Sequence, residues 1–154
     1  MMILHLTNFQ RRYPLPEPAW HALFVALSHS FSSSKDLSVV LMNDRRIREY
    51  NQAYLQHDYA TDVLAFPLED DYDTLEGEIF ISTETAQREA QERGIPLEEE
   101  VIRYFIHGFL HLKGYRDKKK GERDKMFQLQ EQWVHSYFHG YPEKIRKKRP
   151  KPKT

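Results

Sequence analysis

The stretch from His107 to Asp117, H-G-F-L-H-L-K-G-Y-R-D, constrains this chain more than any other. Two histidines four residues apart lie on one face of a helix, one turn or ~6 Å apart along its axis. Gly114 then offers an exit, because glycine takes a left-handed C-terminal position without steric cost. The chain can fold back there and bring Asp117 to the point the two imidazoles share. Two imidazoles, a carboxylate and an open fourth position make a catalytic zinc set. We therefore expect one zinc ion per chain, held by His107, His111 and Asp117, with His107 and His111 as the catalytic residues. A histidine pair at this spacing also arises by coincidence or for local hydrogen bonding, so the flanking residues decide.

Val101, Ile102, Phe105, Ile106, Phe109, Leu110 and Leu112 make the helix apolar over much of its circumference, which predicts a central, buried helix. Neutral histidines there need partners on both ring nitrogens. A metal on one nitrogen and an acceptor on the other meets that need. Glu100 and Arg103, within two turns upstream, are candidates for the supporting contacts; the other reading of both is an ordinary salt-bridged face. The spacing of His107, His111, Gly114 and Asp117 is also that of the H-E-x-x-H-x-x-G-x-x-H metalloproteases. Those enzymes carry a glutamate base directly after the first histidine. Here that place is Gly108, which counts against peptide hydrolysis.

His107-Gly108, Leu110-His111-Leu112 and Gly114-Tyr115 resemble the signature of the YbeY family, bacterial metal-dependent endoribonucleases of ribosomal RNA maturation. Asn51 to Pro67 resembles the family's second signature, with Asp58, Thr61-Asp62-Val63-Leu64 and Phe66-Pro67 in place. Gly77 to Ser82 is similar to a third block, with Glu78 where the family more often has aspartate. The blocks come in order, and the resemblance covers most of residues 37–138. Asp117 stands where a third histidine is usual, and Leu55 where an arginine linked to phosphate handling is usual. Ala60 and Ala65 replace a common proline and serine. The resemblance implies an α+β (mixed α/β) fold: a small mixed sheet packed with several helices, zinc-hydrolase-like, with the metal helix near the sheet. It implies a single-strand-specific, zinc-dependent endoribonuclease acting in small-subunit rRNA 3′-end maturation and ribosome quality control. Ribosomal RNA, the ribosome and single-stranded RNA would be its partners. Leu55 supports an alternative, a ribosome-assembly or RNA-binding factor that keeps the metal site with little or no catalysis.

A chain of 154 residues suits one domain with a sizeable core, expected over residues 1–142. The absence of cysteine excludes a disulfide framework, thiolate zinc ligands and a cysteine nucleophile. Met1 to Gln10 lacks the pattern of a signal peptide. No run approaches the ~20 apolar residues of a membrane span, so we expect a cytoplasmic protein without membrane contact. Apolar periodicity predicts strands near 2–9, 37–42, 63–66 and 78–82. It predicts helices over 20–31, from Asn43 or Asp44 to about 55, from Ser82 or Thr83 to Arg93, through the metal stretch, and over 122–138. Met126, Leu129, Trp133 and Phe138 would line the last.

The formal net charge of zero hides an asymmetry. Lys144 to Thr154 carries +7 with no acid, which leaves −7 on the rest. With Pro150 and Pro152, residues 143–154 read as a basic, disordered tail that either contacts RNA phosphate or solubilises the chain. Lys113, Arg116 and Lys118 to Lys120 surround the metal turn and would draw a phosphate backbone in. His57 and Asp58 are candidates for substrate contact. If the tail touches phosphate, deleting 144–153 lowers the slope of log K against log salt on single-stranded RNA by about 0.7 per lost contact. Metal content and thermal stability stay unchanged. A titration at two salt concentrations checks this, and an unchanged slope rules out direct contact.

Overall fold

The computed structural model describes residues 2–55, 63–67 and 75–142. His57, Asp58 and the tail from residue 143 lie outside the described residues, as do the side chains of Tyr54 and Leu55. In chain order the elements are β1 (Leu4–Asn8), α1 (Glu17–Ser30), β2 (Asp36–Met42), α2 (Asp44–Leu55), β3 (Val63–Pro67), β4 (Leu75–Ser82), α3 (Thr83–Arg93), α4 (Leu97–Leu112) and α5 (Lys120–His139). The strands form one sheet in the order β1-β2-β4-β3. β1, β2 and β4 run parallel, and β3 lies antiparallel to β4 at the edge, where Pro67 needs no ladder donor. This is the small mixed sheet with several helices that the family resemblance implied.

Strands β2 and β4 are apolar at successive positions because both faces of this sheet are covered. Leu37, Val39 and Leu41 share one buried face with Ile79 and Ile81. Val40, Met42 and Phe80 face the other way, onto Ile47 of α2, with the Tyr50 ring stacked on Phe80 at 4.6 Å. The larger core holds α1 and α4, joined by Trp20 and Phe105 edge to face at 4.9 Å. Such contacts add to the burial of large aromatic area. Met126 and Trp133 bring α5 into the same core, whereas Phe138 is 41 % exposed and takes no part in the expected apolar stripe. β4 begins at Leu75, three residues before its predicted start, because its first residues pair with the start of β2 across a register shift. That pairing leaves no local trace in the sequence.

Helix α4 is central. It packs on β3 and β4 and also touches α3 and α5. The approach to the sheet is closest at Gly108, where an added Cβ would lie 2.9 Å from Cγ2 of Ile79. Ile79 is fully buried, so it has little room to yield. Glycine in mid-helix costs up to ~1 kcal/mol against alanine, and here it lets α4 seat against the strand. Gly108→Ala should destabilise the fold: about 1–3 kcal/mol of overpacking exceeds the gain in helix propensity. Thermal unfolding of Gly108→Ala, Ile79→Ala and the double variant checks this. The two losses should add to more than the loss in the double variant, since one change relieves the other; simple additivity would contradict the contact.

Candidate metal centre

His107 and His111 lie on the last turns of α4, and Gly114 ends the helix with φ +96°. The Gly114 N–H donates to the carbonyl of His111, and the Tyr115 N–H to that of Leu110, both at 3.0 Å. This paired capping pattern satisfies carbonyls that the helix leaves open and reverses the chain. The Tyr115 ring packs edge to face on Phe31, which anchors the turn to the core. Asp117 follows, with its carboxylate aimed back at the helix, as the spacing predicted.

The three groups converge. The two Nε2 atoms are 3.0 Å apart. Asp117 Oδ2 lies 3.4 Å from that of His111 and 3.7 Å from that of His107. Around a tetrahedral zinc with bonds of ~2.0–2.1 Å, neighbouring ligand atoms sit ~3.3–3.4 Å apart. The observed triangle has that size. All three residues are half-buried, and among the described residues they are the His/Cys/Asp/Glu cluster able to hold a metal ion.

The hydrogen bonds behind the rings decide what the Nε2 atoms offer. Nδ1 of His111 is 3.1 Å from the carbonyl oxygen of Tyr115. A carbonyl only accepts, so Nδ1 carries the proton and Nε2 presents a lone pair. Nδ1 of His107 is 2.7 Å from Oε1 of Gln130. The amide of Gln130 is oriented by its other end, where Nε2 donates to Glu131 at 3.0 Å. Arg103 in turn donates two bonds of 2.8 Å to the Glu131 carboxylate. Burial opposes the Glu131 charge, and hydrogen bonds from Arg103 and Gln130 outweigh it, so its pKa lies below the ordinary value. Glu131 therefore stays an acceptor. Through Arg103, Glu131 and Gln130, the Nδ1 of His107 is given an acceptor, so its Nε2 can present a lone pair to the same point. Two lone pairs and a carboxylate oxygen facing one point suit a cation.

The ion pairs of Glu100 and Arg103 are made with other charged residues, not with the histidines. Arg103 acts at two removes, and Glu100 pairs with Arg103 and Arg93, each at 3.5 Å. Burial raises the Glu100 pKa against the pull of both arginines. Gln130 was missed in the sequence, although it left a signal. A buried glutamine stands between Met126 and Trp133 at helical spacing, on the stripe where an apolar residue is expected. Arg116 and Lys118 to Lys120 are exposed around the metal turn. His107 and Asp117 border a cleft of about 300 Å³ whose other walls come from α3, α4 and α5.

Fold and site together define a small mixed α/β domain whose helix-turn unit gathers two histidines and an aspartate able to hold a metal ion. The family model described as Endoribonuclease YbeY matches residues 6–138. An Aquifex aeolicus protein named Endoribonuclease YbeY is 42 % identical over 112 residues, 71 % of this chain and 75 % of the relative. A Chloroherpeton thalassium protein of the same name is 35 % identical over 118 residues, 77 % of this chain and 83 % of the relative. A solution structure of a Thermotoga maritima protein superposes with a TM-score of 0.61 at 25 % identity, over 100 % of this chain and 99 % of that one. The chain belongs to the YbeY family.

The Gln130 contact makes a prediction. Gln130→Leu removes the acceptor from Nδ1 of His107 and frees that ring to turn, so metal affinity should fall 10- to 100-fold. Competition with a chromophoric chelator measures this. An unchanged affinity would show that Gln130 does not orient the ring.

Proposed function

We propose that this chain is a zinc-dependent endoribonuclease that cuts single-stranded RNA. It would act in the cytoplasm, in small-subunit rRNA 3′-end maturation and ribosome quality control, with the ribosome as partner. The observation that carries the reading is the convergence of His107, His111 and Asp117 beside an open cleft, in a chain of the Endoribonuclease YbeY family. The ribosomal substrate rests on the resemblance of the sequence blocks described above. Among the described residues no helix is long and apolar enough to cross a membrane.

His107, His111 and Asp117 would hold the ion. Bound there, zinc supplies a Lewis acid for a phosphoryl oxygen and lowers the pKa of water towards ~7. The residues of the chain do the rest. Tyr115 and Gln130 keep the imidazoles oriented. Asp117 adds a negative charge that a third histidine would not, which tempers the acidity of the site. Arg116 and Lys118 to Lys120 give the rim of the turn a positive field towards the RNA backbone. Hydrolysis joins the oxygen of water to phosphorus, breaks one P–O bond of the diester, and delivers a proton to the leaving oxygen. Peptide hydrolysis is disfavoured on steric grounds too. A side chain at position 108 would run into Ile79, so the protease glutamate has no place on this helix.

Cleavage of a short single-stranded RNA, with and without chelator, tests the reading beside His111→Ala. Metal-dependent cutting that is lost in the variant supports it. Tight RNA binding with no cutting at any metal level would favour the assembly-factor alternative that Leu55 suggests. Asp117→His should keep the metal and raise turnover, since it removes a negative charge from the site. Lower turnover with metal fully bound would show that the aspartate serves this enzyme better.

A further inference from the structure

Two side chains line the cleft beside His107 and Asp117 without serving the metal centre. Arg123 and Phe127 lie four residues apart on α5, and so on one face of it. The other cleft arginines are committed, Arg103 to Glu131, Glu99 and Glu100, and Arg93 to Glu100. Arg123 is exposed and makes no ion pair among the described residues. Phe127 is 60 % exposed, the most open large apolar side chain among the described residues. Phe9, the next most open, lies under the Arg46 guanidinium at 4.1 Å. Phe127 has no such cover among the described residues.

A bare aromatic face and an uncommitted guanidinium beside a metal-type site match the chemistry of an unstacked nucleotide. The base stacks on the ring, and the phosphate accepts charge-assisted hydrogen bonds from the arginine. A duplex keeps its base faces covered, so this pair favours single strands. The cleft volume of about 300 Å³ lies at the small end for ligand sites, which suits one nucleotide rather than a helix. We propose that Arg123 and Phe127 form the subsite for the nucleotide next to the scissile phosphate, with its base on Phe127 and its phosphate on Arg123. This rests on RNA as the substrate and adds the residues that position it.

Anisotropy titration of a short single-stranded RNA in chelator separates binding from cutting. Phe127→Ala should weaken binding about tenfold, within the range for loss of one stacked base, and Phe127→Tyr should restore it. Among oligonucleotides with a single abasic position, one should bind wild type about tenfold more weakly. The same oligonucleotide should cost Phe127→Ala nothing further. Arg123→Ala should lower the salt slope by about 0.7. With metal present, both alanine variants should raise KM more than they lower kcat. Metal content and thermal stability should not move, since both side chains are exposed. Unchanged affinity in both variants, with wild type binding and cutting RNA, overturns the subsite and leaves the endoribonuclease reading intact. A wild type that neither binds nor cuts RNA overturns both.

Discussion

Two imidazole nitrogens 3.0 Å apart, each with its ring proton committed to the far side, repel unless positive charge lies between them. The local architecture serves that constraint. The turn at Gly114 brings the Tyr115 carbonyl to His111 and Asp117 to the open side. Helix α5 brings Gln130 to His107. The sheet receives α4 closely because position 108 has no side chain. Without a cation, the arrangement is a cluster of acceptors held together by its surroundings.

Much of this was legible in the sequence because it is local. The spacing of His107, His111 and Gly114 follows from helix geometry, and the turn placed Asp117 where expected. Helix α3 runs from Thr83 to Arg93, within the bounds read from residue type, with Ser82 as its cap. The central strand β2 stood out as an apolar run. What was not legible depends on distant pairing. Gln130 is 23 residues from His107, and only the packing of α5 on α4 joins them. Arg103 stands one turn from His107, yet its charge goes to Glu131, because a guanidinium pairs better with a carboxylate fork than with an imidazole. The reason for Gly108 likewise became visible only with Ile79 across the interface.

The charge of the site follows from the same contacts. Asp117 places a formal charge at the metal position, and the supporting partner of His107 is a neutral amide. The acids behind it, Glu131, Glu99 and Glu100, are each paired with Arg103 or Arg93. The cleft thus keeps one uncommitted arginine among its described residues, Arg123, next to an open aromatic ring. On the proposed function, metal chemistry would belong to the C-terminal end of α4 and substrate placement to the exposed face of α5.

Metal binding by this cluster depends on which nitrogen of each histidine faces the ion. Long-range ¹H–¹⁵N spectra of the zinc-loaded protein report this directly. Both His107 and His111 should bind zinc through Nε2 and keep a proton on Nδ1. Zinc on Nδ1 of either ring, or a proton on either Nε2 with zinc bound elsewhere, would contradict this.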